Sequence, residues 1–370
     1  MRALLFLLTA VSVSAQTVSG TVADGDGTPL PGASVYLSGT TRGDATDTDG
    51  RYEIADVPPG AYRLVASMVG FEPATQDIVV RAGADLEVAL VLEAVPVTLG
   101  SVEVEAERDG RWQRRFAQFR RALIGESSRA DSTRILNPEV LSFRSRWGTL
   151  RAQASAPLVI ENRALGYRLV YDLHVFEGGA TSIRYDGDER FHELEPCSDL
   201  EAARWRTARL EAYRGSLPHL LRSLLAGTAE DEGFTFSLVW EDAWGARPVF
   251  RSSGRGVMRV EDDGWGTLRV RDRLDVVYAE PEDPAYLSHE WFRERRRRPS
   301  AEQRSSLTVR RGRARIDPQG TPEDPFAVSV SGYLGFERLA DRVPEDYAPP
   351  GLEVGAARGG LTLTGRRRYR

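Results

Sequence analysis

The chain has no lysine: all 49 of its basic residues are arginine. That removes every mechanism built on a lysine amine, among them Walker-type phosphate binding, kinase chemistry and Schiff-base catalysis. Cysteine is nearly missing too, with Cys197 alone, so no intramolecular disulfide can form and stability has to come from packing. Cys197 follows Pro196 in an acidic stretch that raises rather than lowers a thiol's pKa, and it reads as inert. After the opening residues nothing approaches the roughly 18 uninterrupted apolar residues of a membrane helix. No Gly-x-Ser-x-Gly elbow presents a nucleophilic serine.

What is present is ordinary for packed domains: 41% hydrophobic, 28% charged and 9% aromatic residues over 370 positions, with a net charge of -5. The length suits two or three domains. The opening reads Met1-Arg2, an apolar stretch from Ala3 to Val13, and Val13-Ser14-Ala15 before Gln16. A basic start, an apolar run and a small-residue cleavage site predict a signal peptide over residues 1–15 and an exported mature chain. Such a chain is not expected to meet nucleic acid, and nothing in it calls for a cofactor.

Residues 17–105 alternate short apolar runs with Gly, Pro and Asp clusters, the pattern of an antiparallel sandwich. About seven strands are predicted, at Val18–Val22, Ser34–Ser38, Arg51–Ile54, Ala61–Met68, Gln76–Val80, Asp85–Leu92 and Ser101–Ala106. Asp24-Gly25-Asp26-Gly27, Pro29-Leu30-Pro31-Gly32 and Pro58-Pro59-Gly60 supply the corners. Asp44, Asp47, Asp49 and Gly50 hint at a calcium loop, but aspartates making side-chain turns ahead of a strand at Arg51 fit the spacing better.

The runs Ser19-Gly20-Thr21-Val22, Gly27-x-Pro29-Leu30-Pro31-Gly32-Ala33-Ser34-Val35, Thr46-Asp47-x-Asp49-Gly50-x-Tyr52, Val57-Pro58-Pro59-Gly60-x-Tyr62-x-Leu64 and Val69-Gly70-Phe71 resemble the carboxypeptidase regulatory-like domain. The resemblance implies a transthyretin-like sandwich of a kind common in envelope proteins of Bacteroidetes-type bacteria, often placed ahead of TonB-dependent transporters. Leu99-Gly100-Ser101-Val102-Glu103-Val104 is similar to the segment leading into a transporter's plug. Residues 110–370 are too few and too charged for a plug and a large barrel, so a transporter is excluded.

Beyond the sandwich, Trp112, Phe116, Phe119 and Leu123 fall on one helical face among arginines. Packing against its own domain is preferred to lying on an anionic surface. Strands then dominate, with Thr149–Ser155, Pro157–Glu161, Tyr167–Phe176, Thr181–Tyr185, Thr235–Trp240, Thr267–Tyr278, Ser306–Arg310, Arg313–Ile316 and Ala327–Phe336 predicted. Ser198 with Glu201, then Ser216, Pro218 and Gly227, cap a helical hairpin between them. The expected fold is mainly β: a sandwich at 16–106, a linker and amphipathic helix at 107–130, a sheet-rich α+β domain at 131–350 and a basic tail at 351–370. Segments at 135–141, 157–167 and 213–221 are also similar to envelope proteins that join such a region to the regulatory-like domain.

Candidate chemistry is sparse. His192-Glu193-Leu194-Glu195 contains the HxxE spacing of zinc carboxypeptidases, with His289, His174 or His219 as a third ligand, but the acidic run from Asp186 to Glu195 reads as a solvated surface. Trp244, Trp265 and Trp291 are candidate binding residues that could stack on sugar rings, against core packing as the plainer role. Arg293–Arg298 and Arg366–Arg370 read as solvated loops. The expectation is a non-catalytic envelope protein that binds or scaffolds, with an envelope protein or polysaccharide as partner. An orphan zinc carboxypeptidase-like hydrolase is the alternative.

Overall fold

The computed structural model describes residues 16–95, 110–179, 182–242, 245–252, 254–288, 300–350, 352–355 and 360–363. The expected signal peptide, the strand at Ser101–Ala106, the two arginine runs and His289 lie outside those residues.

The first unit is the expected sandwich. Strands β1 (Gln16–Asp24), β2 (Ser34–Leu37), β3 (Gly43–Ala45), β4 (Arg51–Val57), β5 (Gly60–Ser67), β6 (Ala74–Val80) and β7 (Leu86–Leu92) form sheets ordered β4-β1-β7 and β3-β2-β5-β6. Alternate residues of β4 and β7 point inward, so Tyr52, Ile54, Val88, Leu90 and Leu92 meet Val35, Leu37, Leu64 and Ile78 in one buried core. β1 and β7 run parallel, because the chain changes sheets between β6 and β7. Asp47 Oδ1 accepts from the amides of Asp49 and Arg51 at 2.9 and 2.8 Å, the side-chain turn expected there. Gly20 is required by close approach: a Cβ on it would fall on the Val88 carbonyl, which also accepts from the Tyr52 hydroxyl at 2.8 Å.

The second unit starts with α1 (Gly110–Ile124) and holds β8 (Thr133–Ile135), β9 (Leu141–Arg146), β10 (Thr149–Ala154), β11 (Leu158–Asn162), β12 (Tyr167–Gly178) and β13 (Ile183–Glu193), ordered β8-β11-β12-β10-β9 with β13 also on β12. Helix α1 packs inward as expected: Phe119 and Leu123 are fully buried, and Trp112 stacks on Phe116 at 5.1 Å. Two of its arginines serve the chain itself, Arg115 donating to the Phe143 carbonyl and Arg120 to that of Ala130.

Helices α2 (Asp199–Tyr213) and α3 (Leu217–Ala226) start and stop at the expected residues, with Ser198 and Ser216 accepting from the amides of Glu201 and His219 and Gly227 left-handed. They do not form a hairpin inserted in one domain. Tyr213 of α2 joins the core of the second unit, while Leu220, Leu221, Leu224 and Leu225 of α3 join another. The span 131–350, expected to be one domain, therefore contains two cores. The third unit comprises β14 (Phe234–Asp242), β15 (Gly245–Ser252), β16 (Met258–Val260), β17 (Gly266–Arg269), β18 (Arg273–Tyr278), β19 (Gln303–Val309), β20 (Arg313–Ile316) and β21 (Val328–Gly332). Its sheets run β15-β14-β18-β19-β21 and β16-β17-β20.

Two expected strands are broken. Thr267–Tyr278 divides into β17 and β18 in different sheets, since Val270 leaves the ladder to donate to Gly312. Ala327–Phe336 stops at Gly332, where φ is 76°, and Tyr333–Phe336 turns helical. The chain then returns to the second unit, where Leu339, Ala340 and Val343 enter its core, before a ribbon of β22 (Leu352–Gly355) and β23 (Gly360–Leu363). Among the described residues no helix is long and apolar enough to cross a membrane.

Replacing Gly20 by alanine is expected to destabilise the protein by about 3 kcal/mol through overpacking against β7. Urea unfolding followed by circular dichroism measures it, and an unchanged midpoint would contradict the close approach.

Candidate functional site

Charged residues from all three units converge where the sandwich docks. The docking piece is the tight turn that follows β2. Gly39 donates to the Glu189 carbonyl at 2.7 Å, Phe191 donates to Thr40 at 3.0 Å, and Glu345 donates to Gly39 at 2.8 Å. Gly39 to Thr41 thus lie between β13 and the segment 344–347, with the Thr41 hydroxyl donating to Asp346 at 2.7 Å. Only glycine fits at 39, where φ is 82° and a Cβ would come within 2.8 Å of the Glu345 carboxyl.

A second contact uses the Pro58–Gly60 corner. The Ala61 amide donates to Asp317 Oδ2 at 3.0 Å, and the Gln319 amide group donates to Pro59. Burial pushes the Asp317 carboxyl up to about 6 although three backbone amides, from Thr321, Ala61 and Gln319, pull it down. Arg222 of α3, 4% exposed, donates to the carbonyls of Gln319 at 2.6 Å and Tyr347 at 2.9 Å and to that of Glu345. It ties the third unit to the segment that holds Gly39.

Ion pairs complete the junction. Arg342 lies 2.7 Å from Glu189 Oε1 and 3.9 Å from Glu345. Burial raises the pKa of Glu189 and carries Glu345 up to about 8, with Arg342 opposing both. Arg63 of β5 reaches Asp188 at 3.1 Å, Asp77 at 3.6 Å and Asp186 at 4.0 Å, linking the sandwich to β13. Glu189 Oε2 is buried without a hydrogen-bond partner. Between the units lies a cleft of about 660 Å³, lined by Tyr62, Ile78, Tyr171, Asp186, Glu189 and Val330 among others.

The residues expected from sequence lie elsewhere. Trp265 is 3% exposed and the Arg315 guanidinium sits 4.2 Å from its ring centre, so it offers no open face to a sugar. The side chains of Trp244 and Trp291 lie outside the described residues. Of the run Asp186 to Glu195, read as solvated, the part up to Glu193 belongs to β13, with Asp188 and Glu189 buried by the docked sandwich. His192 and Glu195 lie at the surface, and partial desolvation of the imidazole, with Arg190 and Arg168 nearby, lowers the His192 pKa. His174 pairs with Asp188 at 3.2 Å, and His219 is buried between the Gly215 amide and Glu232. Among the described residues no three His, Cys, Asp or Glu side chains gather to hold a metal. Cys197 lies 2.7 Å from Glu201, whose hydrogen bond pushes the thiol pKa up.

The residues missed were Glu189, Asp317, Arg342 and Glu345, which come from three separate stretches of the chain and carry no local sign of burial. Arg222 did carry one: it interrupts the apolar run Leu220, Leu221, Leu224, Leu225, and an arginine there has to be paired when the helix is buried.

The family model and the curated relatives bear on the sandwich alone. The family model of the carboxypeptidase regulatory-like domain matches residues 17–93. Two TonB-dependent receptors of Formosa agariphila are 40% identical over 76 and 79 residues, or 20% and 21% of this chain. The chain spans only 7% and 8% of their lengths. Among solved structures, a type II cohesin–X-dockerin complex from Acetivibrio cellulolyticus is similar over 21% of this chain and 58% of that one, at 27% identity and a TM-score of 0.18. A streptococcal ancillary pilin is similar over 51% of this chain and 61% of that one, at 10% identity and a TM-score of 0.21.

A carboxyl whose pKa is higher folded than unfolded binds its proton more tightly when folded. Its contribution is full below the unfolded value and is lost as pH rises through the folded one. For Glu345 that window runs from its ordinary 4.5 to about 8, and for Asp317 from 3.8 to about 6. The melting temperature should fall as pH rises across these windows, and Glu345→Gln should flatten the upper part. A Glu345→Gln variant with the wild-type pH profile would contradict the assignment.

Proposed function

We propose that the protein is an exported, non-catalytic component of the cell envelope that binds or scaffolds another protein, with the regulatory-like sandwich acting as a fixed wall of the binding cleft. The observation that carries this reading is the convergence of three units on one cleft beside unpaired strand edges. Within the described strands, β6 pairs with β5 alone and β21 with β19 alone, and both contribute to the lining. Unpaired edges beside a cleft suit the addition of a strand from a partner.

Three further points support it. The opening residues have the composition of a signal peptide. The sandwich is shared with receptors whose name refers to TonB, which favours an envelope setting. The closed Trp265 ring favours protein over polysaccharide as the partner. Nothing around His192, flanked by Arg168 and Arg190, favours the hydrolase alternative.

In the native host the protein should be recovered from the envelope fraction with Gln16 as its first residue. Fractionation and N-terminal sequencing measure both, and an intact Met1 chain in the cytosol would overturn the reading.

A further inference from the structure

We propose that the cleft takes an extended peptide segment of a partner along the free edge of β6, with a basic side chain of that segment seated against the unpartnered oxygen of Glu189. The inference deepens the protein-binding reading above and rests on it.

Two independent observations lead to it. Glu189 is 3% exposed, lines the cleft, and uses one carboxylate oxygen on Arg342 while the other has no hydrogen-bond partner. A buried carboxylate oxygen left open is costly, and a cation brought in by a ligand removes that cost. Next, Asp77, Ile78 and Val79 of the edge strand β6 line the same cleft, and Val79 is 42% exposed. An apolar side chain that open on a strand edge is the usual liability of an edge left for pairing. At about 660 Å³ the cleft lies within the roughly 300–1,000 Å³ of sites that enclose a ligand.

Recognition would then combine two terms. Main-chain hydrogen bonds to β6 give affinity without regard to sequence, and the Glu189 pocket selects a guanidinium or ammonium group.

The test uses the full mature chain and fluorescence anisotropy of two dye-labelled peptides, one alternating arginine with valine and one alternating glutamate with valine. The arginine peptide should bind and the glutamate peptide should not. Glu189→Gln and Val79→Lys should each weaken binding by at least about tenfold. Glu139→Gln, the same charge change at an exposed position, should leave it within about twofold. Val79→Lys alters an open surface position and keeps the test valid if Glu189→Gln fails to fold. Equal loss with Glu139→Gln, unchanged binding by Val79→Lys, or equal binding of both peptides would overturn the proposal. So would light scattering that shows a dimer broken by Val79→Lys and untouched by the arginine peptide, since a second copy would then be the occupant. If a purified envelope partner binds and the arginine peptide neither binds nor displaces it, the peptide chemistry fails and the binding role stands. If the chain binds neither, both fail.

Discussion

Three residues of the sandwich, Gly39 to Thr41, are hydrogen-bonded on one side to β13 and on the other to the segment 344–347, and the arrangement of the three units depends on that insertion. Each such backbone bond adds only about 1 kcal/mol net. Their larger effect is positional. They cover the Glu189 to Phe191 part of β13, which would otherwise be an open strand edge, and they fix the Glu345 backbone through its bond to Gly39. The left-handed backbone at Gly39 and the space taken by the Glu345 carboxyl make this seating specific to one residue type.

The junction also carries a large electrostatic cost. Glu189, Asp317 and Arg222 are each less than 5% exposed, and buried ions stabilise a fold only when geometry and hydrogen bonding repay their lost hydration. Arg222 reaches three carbonyls from two separate segments, and Asp317 accepts from three amides, one of them from the sandwich. A pairing of this kind adds little net stability, but removing one partner from a buried pair costs about 3–5 kcal/mol. The consequence is a defined docking geometry, which apolar contact alone would leave free to slide. A cleft with fixed walls follows from it.

Much of the architecture was legible because it is encoded locally. Strand alternation, the Asp47 turn, the Pro58–Gly60 corner and the caps at Ser198, Ser216 and Gly227 all sit within a few residues of the structure they determine. The errors arose where distant segments decide. Thr267–Tyr278 alternates cleanly throughout, yet Gly312 draws Val270 out of the ladder and gives its halves to different sheets. Asp188 and Glu189, within the hydrophilic run Asp186 to Glu195, read as solvated until the sandwich covers them. The two cores of 131–350 were hidden because α2 and α3 look like one hairpin in sequence, while their apolar faces serve different units. The candidate site was the least legible part: the bond from Ala61 to Asp317 spans 256 positions, and no pattern along the chain announces it. Trp265 misled for the opposite reason, since its glycine-flanked context suggested a turn at the surface and Arg315 closes its face.

A fixed cleft requires that the inserted turn hold the sandwich to the other units. Amide hydrogen exchange measures this directly at Gly39, Phe191 and Glu345, the donors of the three backbone bonds. If the insertion is part of the stable fold, these amides exchange slowly and at rates like those of Leu64 and Leu169 in the neighbouring cores. Rapid exchange at all three, with both cores still protected, would mean that the sandwich moves independently and that the cleft has no fixed wall.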